Sequence, residues 1–143
     1  MAGVEAQRVA AFVFDALAAD TGPGGVATLL SGRIYRDRVP AAASLPAATV
    51  GVVSSTDFGT IGAVRTLDMV LVDVRVVAAG SSYGPINPAA DRVDAVLQNR
   101  RGTSGGVQIV ELRRDQTQLF IEDEAGAQFA HCIQTFRTEC YTL

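Results

Sequence analysis

The sequence contains no lysine, and all 12 of its basic residues are arginine. Because no side chain carries a primary amine, the chain has no P-loop lysine for phosphate, no Schiff-base lysine and no lysine general base. The 15 acidic residues outnumber the arginines and give a formal charge of −3. This balance argues against electrostatic binding to nucleic acid or to an anionic membrane.

Other scarce residues exclude further classes of protein. His131 is the only histidine, which excludes a two-histidine metal site within one chain. Cys132 and Cys140 are too few for a disulfide framework, and on one strand they would lie about 27 Å apart, too far to bridge. No apolar run is long enough to span a membrane, and the N-terminal segment around Glu5 does not resemble a secretion signal. We therefore expect synthesis in a reducing, intracellular compartment.

The residues that are present predict one domain of the α+β class over residues 1–143. Apolar residues at helical spacing predict a helix over 4–19, and breakers over 20–25 precede a short helical turn over 26–30. Asn87 as N-cap, Pro88 after it and Gly102 as terminator predict a second helix ending in Arg100 and Arg101. Alternating or β-branched segments predict six strands, at 33–39, 49–55, 64–78, 107–113, 117–122 and 128–141. The expected architecture is a largely antiparallel sheet packed against two main helices, with Gly126 in the last turn.

The strand predicted over 64–78 is apolar on both faces. Because side chains alternate along a strand, its two faces carry different sets of residues: Val70, Val72 and Val74 on one, Leu67, Met69 and Leu71 on the other. One layer of helices covers only one face of a sheet, so something else must cover the second. These six residues are candidates for the core strand or for a subunit interface.

Few residues form a plausible reactive group. His131 and Cys132 are adjacent, but in a strand they would point to opposite faces and share no proton. The acidic cluster Glu122, Asp123 and Glu124 has several interpretations: a cation site, paired carboxylates for acid–base work, or the lining of a pore. We favour a fourth, a solvated hairpin turn beside Gly126. The glycine-rich segments at 21–25 and 102–106 match no phosphate-binding motif and are interpreted as turns. The sequence thus predicts no catalytic residue, no metal site and no cofactor.

Two small groups of arginines occur, at positions 33, 36 and 38 around Tyr35, and at positions 113 and 114. Nucleic-acid binding uses arginines beside an aromatic side chain. Alternation divides the first group between two faces, however, and Asp37 lies within it. We interpret both groups as solvated arginines or as part of a subunit interface.

Taken in order, the segments resemble the tail terminator (tail completion) proteins of long-tailed bacteriophages. The similarity lies in an opening helix ending in ALAADTG, then VATLLSGRIYRDRVP, and a Leu45–Pro46 pair just ahead of a strand in LPAATVGVVS. The long strand RTLDMVLVDVRVVA, the helix PAADRVDAVLQNRRG and the closing strand HCIQTFRTECY complete the order. The resemblance spans nearly the whole chain and includes no invariant catalytic motif.

The resemblance implies a structural protein rather than an enzyme. It implies a homo-oligomer, a hexameric ring seated on the last ring of the tail tube protein, at the head-proximal end of the virion tail. Such a ring ends tube polymerisation, presents a surface to the head-completion protein and is assembled in the host cytoplasm. Genome DNA passes through the lumen, where an acidic lining such as Glu122, Asp123 and Glu124 would repel phosphate instead of binding it.

Two alternatives remain open. One is another ring-forming phage protein, either a head–tail connector (stopper) or a tail tube subunit. The other belongs to a different class: an α+β domain that binds a small molecule between its sheet and its helices. Convergent polar residues facing inward would favour the second alternative, whereas the inward positions predicted here are almost all aliphatic.

Overall fold

The computed structural model describes residues 2–58 and 67–143, which form three helices and a strongly curled mixed sheet of seven strands. This arrangement confirms the predicted α+β class. The helices are α1 (Ala2–Ala18), α2 (Val26–Leu29) and α3 (Asn87–Leu97). The strands are β1 (Ile34–Arg36), β2 (Ala47–Phe58), β3 (Leu67–Ala79), β4 (Gly102–Ser104), β5 (Val107–Ile109), β6 (Arg113–Glu124) and β7 (Ala127–Thr142). None of the helices in the described ranges is long and apolar enough to cross a membrane.

The sheet has the strand order β1-β2-β3-β7-β5-β4, and β6 also pairs with β7. Strands β5 and β6 pair with different stretches of β7, Ile109 opposite Cys140 and Phe120 opposite His131. Only β1 and β2 are parallel, and every other described pair is antiparallel. The prediction of a largely antiparallel sheet is therefore confirmed.

Two positive φ angles make the turn between β6 and β7. Glu124 pairs with Ala127, so the loop consists of Ala125 at φ 50° and Gly126 at φ 83°. A two-residue loop with both residues in this region has the twist that antiparallel strands require. The turn predicted at Gly126 is confirmed.

The core lies between α1, α3 and one side of the sheet. It is dominated by aliphatic side chains with little or no exposure, and Phe136 on β7 is the largest fully buried one. Cys132 and Cys140 are both buried here, and they lie on the same strand, β7, as the prediction that they do not bridge supposed. The apolar positions at helical spacing in α1 supply much of this core: Val9, Val13 and Leu17 are fully buried.

Helix α3, the one predicted to start at Asn87, differs from its prediction at both ends. The cap position is Ile86, not Asn87, and no side chain caps the helix; Asn87 is already helical and Pro88 lies in the first turn. The helix ends at Leu97, before Arg100, because Asn99 adopts φ 64° and donates its backbone N–H to the Leu112 carbonyl over 2.8 Å. Contact with the chain leading into β6 thus ends the helix before the arginines.

Three strand predictions also need correction. The strand predicted to reach Val39 ends at Arg36, since Asp37 has φ 68°. Residues 102–104, predicted as a turn, form β4, and only Gly105 and Gly106 make the turn. The strand predicted over 107–113 stops at residue 109, because the Leu112 N–H donates to the Arg100 carbonyl instead of to β7. The start of the strand predicted over 64–78, at residues 64–66, lies outside the described residues.

Asp20 joins three parts of the helical layer. Its carboxylate accepts the backbone N–H of Val26, at the start of α2, and two hydrogen bonds from the Arg92 guanidinium on α3, all 2.8 Å long. The Arg92 guanidinium holds the pKa of Asp20 at about 2, below its ordinary value of 3.8. This one side chain therefore positions α2 against α3.

The Asp20 contacts predict a pH-dependent contribution to stability. Because the pKa is lowered in the folded state, the contribution is complete above pH 3.8 and is lost as the pH falls toward 2. We expect Asp20→Asn to lower the free energy of unfolding by about 1 kcal/mol at pH 7, since Arg92 is partly exposed. Urea unfolding of the wild type and the variant at several pH values measures this difference in the free energy of unfolding. A difference between wild type and variant that persisted unchanged at pH 2 would contradict this assignment.

Gly25 approaches the backbone so closely that a methyl group does not fit. A Cβ atom at this position would overlap the carbonyl oxygen of Asp20. Gly25→Ala should therefore lower the free energy of unfolding by about 1–3 kcal/mol. Gly22→Ala is the matched control, because a Cβ there meets nothing within 4 Å. Equal unfolding midpoints for the two variants would show that the turn relaxes freely.

Candidate functional site

The two faces of strand β3 differ in burial: one is buried and the other is more open. Val70, Val72 and Val74 are at most 1% exposed and lie in the core beneath the helices. Leu67, Met69 and Leu71 point to the opposite side and are only half-buried. The six residues named as a core strand or interface are thus divided by the fold. A contact between the second set and a neighbouring subunit stays a prediction.

The side of the sheet opposite the helices is here called the open face. On β3 it includes Leu67, Met69, Leu71, Asp73, Arg75 and Val77. Residues opposite one another in register share a face, so partners on β2 and β7 belong to it as well. These partners are mostly polar: Thr49, Ser54, Thr56, Thr135, Arg137 and Glu139. The open face therefore combines a half-buried apolar strip with polar flanks.

A segment between β1 and β2, residues 37–45, folds over part of the open face. It stands close to the sheet at Gly51, where an added Cβ would lie 3.6 Å from the Asp37 carboxylate oxygen Oδ1. Between the segment and the sheet lies a cleft of about 640 Å³. Its lining mixes aliphatic residues with charges of both signs: Asp37, Arg38, Asp73, Arg75, Glu122 and Glu124.

His131 is buried at the edge of this cleft. Its ring stacks on Phe120 with centroids 4.6 Å apart, and its Nε2 lies 3.4 Å from Glu122 Oε1. Neither ring nitrogen makes a hydrogen bond, and both are shielded from solvent. The stack joins His131 on β7 to Phe120, its register partner on β6.

His131 and Cys132 do not form a dyad. His131 pairs in register with Val77 on the open face, and Cys132 pairs with Val76 on the helix side. Burial is the largest influence on the Cys132 thiol and raises its pKa, which disfavours a reactive thiolate. Within the described ranges, no group of three or more metal-ligating side chains is brought together. The arrangement offers no nucleophile with an adjacent base at these two residues.

The acidic residues Glu122, Asp123 and Glu124 occupy the last three positions of β6, next to the two-residue turn. All three are exposed. Alternation sends Glu122 and Glu124 toward the cleft and Asp123 to the other side, so the three carboxylates do not converge. The structure thus places them on a solvated hairpin end.

The arginines of the two predicted groups are dispersed rather than clustered. Arg33 donates from Nε to the Pro46 carbonyl, and Arg36 donates from Nη2 to Gln7 on α1. Arg38 lines the cleft. Arg113 pairs with Glu111 at 3.0 Å, and Arg114 lies 3.6 Å from Asp94. Four of these five arginines thus contact other parts of the chain or an acidic neighbour.

Two surfaces were not recognised from the sequence. The segment over 37–45 was interpreted as an irregular connection, and nothing in its composition signalled that it folds over the sheet. The outer edge of β6 was also missed. The uncharged run QTQLFI at 116–121 was a usable signal for it, because such runs favour strand pairing.

Comparisons with known proteins agree with this fold. A family model described as tail completion protein gp17 matches residues 11–140. The chain belongs to the tail completion protein gp17 family. It is therefore a structural component of a phage tail.

A solved structure supports the architecture over the full length. The protein is similar to a chain in the virion of a native gene transfer agent (GTA) particle, with a TM-score of 0.74 and 17% sequence identity. The match covers 95% of this chain and 96% of the other. A search of curated proteins finds no match to the sequence.

A change to aspartate should have different effects on the two faces of β3. Val72→Asp places a charge in the core and should lower the free energy of unfolding by about 3 kcal/mol or more. Leu71→Asp, next to it on the open face, should cost about 1 kcal/mol and leave the protein folded. Circular dichroism with thermal unfolding distinguishes the two. If both variants unfold equally, the open face is part of the core.

Proposed function

We propose that this tail completion protein forms a closed homo-oligomeric ring, a hexamer, on the last ring of the tail tube. There it ends polymerisation of the tube protein and provides the surface on which the head-completion protein docks. The observation that carries the proposal is the family match over residues 11–140. Closed rings of identical subunits need two complementary surfaces on each subunit.

The open face supports assembly. Its strip of Leu67, Met69 and Leu71 is half-buried in the single chain, beside polar partners that suit a contact rim. Apolar strand residues that no helix covers gain by burial against another protein, by roughly 25 cal/mol per Å² removed from water. We therefore assign this strip to a contact with a neighbouring subunit or with the tube.

The charge of the protein supports passage of DNA without binding. The chain carries a net charge of −3, and Arg33 and Arg36 are held by hydrogen bonds within the chain. We propose that the acidic hairpin end, Glu122, Asp123 and Glu124, faces the lumen of the ring. Six copies of these carboxylates would repel the phosphates of the genome as it passes.

The capping role predicts a defined effect on tube growth. Purified protein added to polymerising tail tube protein should stop elongation and leave a ring at one end of each tube. Tube lengths measured by negative-stain microscopy should then stay constant with time, whereas tubes without the protein continue to grow. Bovine serum albumin at equal mass is the control for crowding. Tubes that lengthen equally in both samples would refute the capping role.

A second candidate function rests on the cleft beneath residues 37–45. A volume of about 640 Å³ lies within the range of small-molecule sites. Its lining carries four carboxylates, those of Asp37, Asp73, Glu122 and Glu124, beside Arg38 and Arg75, so a small cationic molecule is the corresponding ligand. The same microscopy separates the candidates, because protein that remains monomeric beside growing tubes favours the binding domain. Co-purified ligand detected by mass spectrometry would support that alternative.

A further inference from the structure

Two long strand edges are unpaired in the described part of the chain, besides the outer edges of the three-residue strands β1 and β4. Strand β6 pairs with β7 along one edge, and its other edge meets no strand. Strand β2 pairs with β1 only at Ala48–Val50, which leaves residues 51–58 open on the side away from β3. The β2 edge lies beyond β3 and the β6 edge lies beyond β7, so the two edges are on opposite flanks of the β3–β7 pair.

Both free edges contain a stretch that is suited to pairing. Residues 116–121 of β6 (QTQLFI) and residues 52–56 of β2 (VVSST) contain no charge, proline or glycine. Leu119 is 50% exposed and Val53 is 52% exposed, the highest values for large apolar residues in the described strands. Open edges of this composition invite pairing with other chains, and soluble proteins normally cover or charge them.

The directions of the strands make the two edges complementary. Each step from β2 to β3, to β7 and to β6 is antiparallel, so β6 runs opposite to β2. Rotation of one copy about an axis along the strands does not reverse its strands. It therefore brings β6 of one copy beside β2 of the next as an antiparallel pair, with the helices of both copies on the same side.

Each edge also has features that limit the length of a contact. An irregularity at Asp115 interrupts β6 near its start, and another at Val53 interrupts β2. Charged residues flank the uncharged stretch of β6, with Arg113 to Asp115 before it and Glu122 to Glu124 after it. Gly51 and Asp57 flank the uncharged stretch of β2, and the irregularity at Val53 lies within it. Pairing is thereby confined to six residues on one edge and at most five on the other.

We propose that the uncharged stretch of β6 in one subunit pairs antiparallel with the free edge of β2 in the next copy of this chain. Leu119 and Val53 lie within this contact, and the sheets of all subunits form one continuous ring. The inference rests on the proposed ring and assigns its subunit contact. A symmetric pairing of β6 with β6 is the competing arrangement. It produces closed dimers and leaves Val53 exposed.

Disulfide trapping tests the contact directly. Val53→Cys is combined in turn with Thr117→Cys, Leu119→Cys and Ile121→Cys, three positions on one face of β6 that allow for different registers. After mild oxidation, at least one double variant should give a ladder of covalent multimers on a non-reducing gel. Each single variant should remain monomeric, because the native Cys132 and Cys140 are buried. Dimers of Leu119→Cys alone would support the β6–β6 arrangement and overturn the proposal.

A charged residue on the β6 edge tests the same contact without covalent cross-linking. Leu119→Lys should raise the protein concentration needed for ring formation at least tenfold, measured by mass photometry with tail tube present. Val110→Lys is the matched control, because Val110 is 41% exposed and lies outside both edges. Circular dichroism verifies that both variants fold. Two results would overturn the edge contact alone. One is normal ring formation by Leu119→Lys, and the other is ring formation by the double cysteine variants with no cross-link in any of them. Failure of the wild type to form rings on tube overturns the proposed function and the edge contact together.

Discussion

The antiparallel pairing of β3 with β7 is the constraint on which the rest of the structure depends. Twelve residue pairs join the two strands, from Asp68 opposite Cys140 to Ala79 opposite Phe129. Every other strand is attached to this pair: β2 extends it on one side, and β5 and β6 extend it on the other. Since the register fixes which side chains share a face, it also fixes where the helices can pack.

This register gives the two faces of the sheet different roles. On the helix side, the valines of β3 and Phe136 of β7 form a dry core with α1 and α3. On the open face, a histidine, several charged residues and three half-buried apolar residues remain beside a curved cleft. A chain of this kind is stable as a domain and still has surface to bury, which is the property expected of a subunit of a larger assembly.

Much of the fold was predictable because it depends on local patterns. The apolar spacing of α1, the alternation along β3 and the glycine at the β6–β7 turn are short-range signals, and each was interpreted correctly. The errors fall where a distant contact decides the local structure. Asn99 ends α3 by bonding to the Leu112 carbonyl, and Leu112 leaves the sheet to bond to Arg100. Neither partner is visible in a local pattern.

The candidate site was predictable to a smaller extent. Alternation alone separated His131 from Cys132, and it also divided the six residues of β3 between two faces. It did not indicate that Phe120 stacks on His131, or that residues 37–45 reach back across the sheet. Those contacts join residues that are distant in sequence, so they exist only once the strands are in register.

The sequence by itself determined which chemistry the side chains can perform and which elements form. The absence of lysine, the single histidine and the periodicity of the apolar residues are properties of composition and local order, and folding does not alter them. Tertiary structure alone decided which side of β3 is buried, which arginines form hydrogen bonds or ion pairs within the chain, and which strand edges remain free. The physical reason is that burial and edge pairing are relations between distant segments, and the register of β3 on β7 sets them.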